Sequence, residues 1–132
     1  MLGAGLLAVL LGIGWRLSYT SPAHIAVSTA FLDLGEIVQE EGVVSASVDV
    51  FNDGEQTLEL YRISTSCGCT TATMNMEPLN PGEQRTLTIT FDPMVHSDQF
   101  GLIERAVYIQ SSDPHQPEVV IDVVGTVKEY DL

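Results

Sequence analysis

Val44-Ser45-Ala46-Ser47-Val48-Asp49-Val50-Phe51-Asn52-Asp53-Gly54, residues 44–54, alternates aliphatic with small polar side chains and then breaks into a turn sequence. A period of two places every second side chain on one face of an extended chain. Val44, Ala46, Val48 and Val50 therefore line one face, and Ser45, Ser47 and Asp49 the other. Asn and Asp side chains bond nearby backbone in turns, and Gly adopts conformations closed to other residues, so Asn52-Asp53-Gly54 ends the strand. The same alternation returns in Leu87, Ile89 and Phe91 set between Thr86, Thr88 and Thr90. Val119, Ile121 and Val123 around Asp122 give a third such face, and Val107 with Ile109 a fourth.

Turn chemistry separates these runs at Asn80-Pro81-Gly82, at Asp92-Pro93 and at Asp113-Pro114 ahead of Pro117. The predicted strands cover 25–32, 43–52, 57–64, 69–75, 84–92, 102–111 and 118–128, with no helix-period segment after residue 20. About seven short strands joined by turns at this spacing predict an all-β fold, an immunoglobulin-like β-sandwich, with a small barrel as the alternative.

A chain of 132 residues, 45% hydrophobic, suffices for one compact domain and a short appendage. Its 18 Asp and Glu against 5 Lys and Arg leave a net charge of -13. That potential repels phosphate backbones and anionic head groups, which excludes nucleic acid as a partner and suits a basic protein.

Residues 1–15 (MLGAGLLAVLLGIGW) carry no charged side chain, and Arg16, Tyr19 and Ser21-Pro22 follow. As a helix, residues 1–19 would span about 28 Å, close to the roughly 30 Å of bilayer hydrocarbon, with Arg16 snorkelling to the head groups. The expected organisation is one N-terminal transmembrane helix over 1–20, a linker over 21–29 leading into the first strand, and the sandwich over 30–132. A cleaved signal peptide, with Ser21 and Ala23 before the cut, competes with this anchor but lacks a basic n-region. Arg16 alone would place the C-terminus in the cytoplasm.

Asp33-Leu34-Gly35-Glu36-Ile37, Phe51-Asn52-Asp53-Gly54, Ser66-Cys67-Gly68-Cys69-Thr70-Thr71, residues 78–82, Phe91-Asp92-Pro93 and Ser112-Asp113-Pro114 follow one another in family order. Over residues 30–127 the chain resembles a bacterial extracytoplasmic domain-of-unknown-function family with an SCGCT motif. That family is immunoglobulin-like and related to major sperm protein, ASH and hydin-type domains. The resemblance implies a sandwich outside the cytoplasm, the paired cysteines Cys67 and Cys69, and no enzymatic activity to carry over. It sets the expected orientation: single-pass in the cell inner membrane, with the C-terminal domain on the periplasmic side.

Cys67 and Cys69 flank one glycine, so an extended strand would point both sulfurs to one face, and Gly68 permits a bend that brings them together. A local disulfide, free thiols and a metal site all remain open from the sequence. Zinc needs four ligands, and His24, His96 and His115 are scattered along the chain. Copper(I) prefers soft donors, which makes Cys67, Cys69, Met74 and Met76 the copper candidates, although the methionines have the opposite strand parity. A thiol-redox role lacks the helix N-terminus that lowers a thiol pKa. His96-Ser97-Asp98 and residues 111–115 contain the residue types of a hydrolytic triad, but neighbours in sequence do not supply an aligned nucleophile and base. Arg62, Arg85 and Arg105 are expected to pair with local carboxylates.

No catalytic residue, resident metal or cofactor is expected. The sequence reads as a non-enzymatic, membrane-anchored interaction module, an accessory subunit of a larger membrane complex of photosynthetic or respiratory kind. Its partners would be other membrane subunits and a basic protein docking on the acidic domain. The alternative is an extracytoplasmic copper-handling or thiol-redox protein acting through the Cys-Gly-Cys pair.

Overall fold

A computed structural model describes residues 19–130. Eight strands follow in order: β1 (Ile25–Val27), β2 (Phe31–Val38), β3 (Val44–Asn52), β4 (Leu60–Thr65), β5 (Thr70–Thr73), β6 (Gln84–Phe91), β7 (Gly101–Ser111) and β8 (Glu118–Lys128). A single 3-10 turn over Gln39–Glu41 is the one helical element among the described residues. The strands form two four-stranded sheets, ordered β1-β3-β6-β5 and β2-β8-β7-β4, and so make a sandwich of two sheets, not a closed barrel. Pairing is antiparallel except for β2 on β8, which is parallel.

The alternating runs do what their period requires. Val48 and Val50 of β3 and Leu87 and Ile89 of β6 bury against Val107 and Ile109 of β7 and Ile121 and Val123 of β8. Each fully buried aliphatic side chain contributes about 1.5–3 kcal/mol over its exposed state, which makes this interface the main source of stability. A smaller cluster, Ile37, Cys69, Phe91, Ile103 and Val127, closes one end of the sandwich.

The first expected strand, 25–32, is in fact two. Its first half pairs with β3 in one sheet, and from Phe31 the chain joins β8 in the other. The crossing is made by side chains: the Ser28 hydroxyl accepts from the Asp49 N–H at 2.9 Å, and the Thr29 hydroxyl accepts from the Phe31 N–H at 3.1 Å. No Gly or Pro marks this switch, so the turn signals that separate the other strands are missing here. Within β2 the register shifts between Asp33 and Glu36, at Gly35, whose φ of 70° is accessible to glycine and whose N–H bonds the Asp33 carboxylate at 2.8 Å.

Strand directions define two poles. One holds the β4–β5 connection, the β6–β7 loop and the 3-10 turn. The other holds the 52–56 turn, the β7–β8 turn and the incoming residues 20–24. This incoming stretch, expected as a linker, is strapped down. The Ser21 N–H donates to Glu55 Oε2 at 3.0 Å, the Asp53 N–H donates to the His24 carbonyl at 3.0 Å, and His24 Nδ1 pairs with Asp53. The anchor expected over 1–20 lies, apart from Tyr19 and Thr20, outside the described residues. Among the described residues no helix is long and apolar enough to cross a membrane.

Two buried polar side chains hold this second pole. Asn52 is fully buried; its amide donates to the Gln56 and Leu79 carbonyls at 2.8 and 2.9 Å, and its oxygen accepts from the His24 and Gly54 N–H groups. Asp113, 1% exposed, accepts from the N–H groups of Ile25 at 3.0 Å, His115 at 2.8 Å and Gln116 at 3.0 Å. Burial pushes its carboxyl pKa up, but the three N–H donors and the nearby His24 outweigh burial and hold it below the ordinary 3.8.

Candidate functional site

Residues 66–69 carry the chain from one sheet to the other, and this crossing bends the Cys-Gly-Cys segment. Ser66 still pairs with β7, its N–H donating to the Ala106 carbonyl at 3.0 Å and its hydroxyl accepting from the Ala106 N–H at 2.9 Å. Cys69 already belongs to the first sheet, where its carbonyl accepts the Asp92 N–H at 2.8 Å. Between them the Thr70 N–H donates to the Cys67 carbonyl at 3.1 Å, and the Thr65 hydroxyl lies 3.0 Å from the same oxygen. The Cα atoms of Cys67 and Cys69 are consequently 5.2 Å apart, and the two sulfurs form a disulfide. A straight strand would separate those Cα atoms by about 6.7 Å.

The two sulfurs differ in surroundings. Cys69, 2% exposed, packs with Ile37, Phe91, Ile103 and Val127, while Cys67 is half-buried at the rim of that cluster. His96 approaches from the β6–β7 loop, with Nε2 3.4 Å from Cys67 Sγ. Its loop is pinned from two sides: the Asp92 carboxylate accepts the Met94 N–H at 2.9 Å, and the Gln39 amide donates to the Ser97 carbonyl at 2.9 Å and the Pro93 carbonyl at 3.3 Å. Arg105 comes from β7. Its Nε donates to Cys69 Sγ at 3.1 Å, Nη2 to Gln99 Oε1 at 2.7 Å and Nη1 to the Glu104 carbonyl at 2.7 Å.

The sulfur and nitrogen donor atoms of Cys67, Cys69 and His96 all lie within 4.8 Å of one another. Of the histidines taken as scattered, the fold therefore brings one to the cysteines and leaves His24 and His115 at the opposite pole. Met74 packs against the larger core, and Met76 is exposed beyond β5. Arg105 bonds a sulfur, an amide and a carbonyl where a carboxylate partner was expected; Arg85 does face Glu83, at 3.9 Å, and also donates to the Asn75 carbonyl at 2.8 Å. His96 and Arg105 carried no sequence signal for this site, because the contacts span 29 and 36 residues. The triad-like stretches are turn caps: the Ser111 hydroxyl accepts the Asp113 N–H at 3.3 Å, and Ser97 serves through its carbonyl.

A ring closed over so few residues stabilises little. The chain-entropy expression gives about 1.6 kcal/mol for a three-residue loop. Reduction of the full chain by a dithiol is expected to lower the midpoint of urea unfolding by no more than that stability implies, with the far-ultraviolet β signal unchanged. Loss of the β signal on reduction would mean that the disulfide, and not the surrounding cluster, holds this pole.

The outer faces of the two sheets are unlike. On β3, β6 and β5 the outward residues are Ser45, Ser47, Asp49, Thr86, Thr88, Thr90, Thr71 and Thr73, an almost continuous hydroxyl surface. On the other sheet Phe31 and Leu102 are 58% and 68% exposed, with Val120 exposed two residues from Asp122 on β8 and Tyr61 exposed on the edge strand β4. A shallow cavity of about 230 Å³ on this face is lined by Phe31, Glu104, Arg105, Asp122 and Val124.

The family model described as "Protein of unknown function (DUF1573)" matches residues 25–127. No curated protein sequence matches the chain. Among solved structures, a protein of unknown function from Porphyromonas gingivalis W83 superposes with a TM-score of 0.73 at 24% identity, covering 84% of this chain. This chain spans 50% of that protein's length. The ASH/PapD-like domain 7 of human CEP192 gives a TM-score of 0.63 at 10% identity, over 81% of this chain and 87% of that one. The VesB protease of Vibrio cholerae gives 0.63 at 13% identity over 77% of this chain, which accounts for 31% of the protease. At these identities the likeness is one of fold: an immunoglobulin-like, PapD/ASH-type sandwich.

Proposed function

Since this chain belongs to the DUF1573 family of proteins of unknown function, matched over residues 25–127, we propose that it is a non-enzymatic interaction module, held at the inner membrane by residues 1–20 as an accessory subunit of a larger complex. The observation that carries this reading is the asymmetry of the two outer faces. A solvated sheet face needs no aromatic or large aliphatic side chains, as the hydroxyl-covered β3-β6-β5 face demonstrates. Phe31, Tyr61, Leu102 and Val120 on the opposite sheet stand exposed in water, and aromatic side chains are among those enriched in protein-binding surfaces.

Glu104 and Asp122 line the shallow cavity with Phe31 on that sheet, and the whole chain carries a charge of -13. The partner is therefore a protein presenting apolar side chains ringed by Lys or Arg. The strap at residues 20–24 makes the chain enter the domain at the pole away from the cysteines. With the anchor preceding it, the domain stands close to the bilayer on its extracytoplasmic side, cysteine pole outward.

Purification of the full chain from native membranes in mild detergent tests the reading. A partner in fixed stoichiometry is expected with the wild type and lost with a Phe31→Ser/Val120→Ser variant, while Glu104→Lys/Asp122→Lys weakens it by about tenfold or more. These positions are exposed, so the variants should unfold at the wild-type temperature. Recovery of the wild type only as a lone soluble domain would overturn the proposal.

A further inference from the structure

We propose that Cys67, Cys69 and His96 form a reduction-gated binding site for a soft monovalent cation, copper(I), with Arg105 as its charge partner. The proposal does not rest on the interaction reading.

The donor set comes first. Two thiolates and one imidazole are the ligands that favour copper(I) and zinc over hard cations. Three donors at metal–ligand distances near 2.3 Å in a trigonal plane sit about 4 Å from one another. The sulfur and nitrogen atoms already lie within 4.8 Å, so once the disulfide opens, side-chain rotation suffices to spread the sulfurs. The Cα separation of 5.2 Å needs no change. Met74, committed to the larger core, is not required.

Charge then selects among the soft ions. Two thiolates and copper(I) sum to one negative charge, and the Arg105 guanidinium, 3.1 Å from Cys69 Sγ, brings the half-buried cluster to neutrality. A divalent ion with the same ligands would leave one uncompensated positive charge beside buried Cys69, which is costly in a region of low dielectric. Geometry favours the same ion: three protein donors complete a trigonal copper(I) site, whereas tetrahedral zinc would need a water as its fourth ligand.

The gate is the disulfide. A dithiol reductant transfers two electrons and two protons; the bond between Cys67 Sγ and Cys69 Sγ breaks, two thiols form, and the reductant becomes a disulfide. Copper(I) then displaces the two thiol protons to solvent. The oxidised chain has no thiolate to offer and binds none. Half-buried Cys67 at the rim and exposed His96 give the ion its way in, and buried Cys69 with Arg105 forms the floor.

Anaerobic titration of the full chain in detergent, with copper(I) buffered by a coloured competing chelator, tests this. The dithiol-reduced wild type should take one equivalent, and the oxidised chain none. His96→Ala, at an exposed loop position, should bind at least tenfold more weakly, Met74→Leu should bind as the wild type does, and Cys67→Ser/Cys69→Ser should not bind. X-ray absorption of the loaded chain should report two sulfurs and one nitrogen around copper. Absence of stoichiometric binding by the reduced wild type, or equal affinity in His96→Ala, would overturn the site as assigned.

Discussion

Asp113→Ala should destabilise the domain by about 3–4 kcal/mol, because it strands the buried Ile25 N–H and takes the acceptor from the half-buried His115 and Gln116 N–H groups. The Ile25 N–H belongs to the incoming β1, and the His115 and Gln116 N–H groups to the β7–β8 turn, so one carboxylate joins segments 88 residues apart. Urea unfolding at pH 7 measures the loss. Asp113→Asn keeps one acceptor oxygen but turns an amide donor toward N–H groups, so it should recover less than half of the difference. The pH dependence follows from the lowered carboxyl pKa. A group with a depressed native pKa contributes its stability above the unfolded value, near 3.8 here, and loses it as pH falls through the native value. The gap between wild type and Asp113→Asn should therefore be widest at neutral pH and close in the acid range below 3.8. A gap that stayed constant down to the most acid pH at which both fold would show that the charge of Asp113 is not what holds the strap.

Gly54→Ala should cost about as much, by a different mechanism. A Cβ on Gly54 would stand 2.1 Å from the Pro22 carbonyl oxygen, 2.6 Å from the His24 nitrogen and 2.8 Å from Ala23 Cα. All three are backbone atoms, so no rotamer change relieves the clash and the strap itself has to lift. Lifting it exposes Ala23 and Ile25, both buried now, and breaks the His24 bonds to Asn52 and Asp53. Re-exposing an isoleucine costs about 1.5–3 kcal/mol, and the lost hydrogen bonds add roughly 1 kcal/mol each, which gives about 3–5 kcal/mol in total. The signature that separates this from general destabilisation is local. Amide exchange at residues 21–27 should quicken before the β7 and β8 core does, and limited proteolysis should cut there first. Uniformly faster exchange across β3, β7 and β8 would refute the strap as the seat of the effect.

Both positions fall inside motifs that the sequence marked, Asn52-Asp53-Gly54 and Ser112-Asp113-Pro114, where they read as turn chemistry. That reading holds for the backbone: Asp113 caps its own turn through the His115 and Gln116 N–H groups. What the motifs did not reveal is that each turn also grips the N-terminal strap, a contact made across the fold. The strand register was legible where one face is buried and the other wet, as in β3, β6 and β8. It was not legible between β1 and β2, where side-chain hydroxyls of Ser28 and Thr29 make the crossing that Gly or Pro makes elsewhere.

The Cys-Gly-Cys pair shows the same division. Period-two alternation, turn residues and charge are local or additive properties, and by themselves they determined an all-β domain of short strands, an acidic surface and a glycine that permits a bend between the cysteines. Which side chains meet at that bend is a matter of strand order and loop path. Only the tertiary structure places His96 of the β6–β7 loop 3.4 Å from Cys67 and Arg105 of β7 3.1 Å from Cys69. Only it sets the hydroxyl face and the apolar face on opposite sides of one core, because a sequence period states that two faces differ but not which neighbouring strands share them.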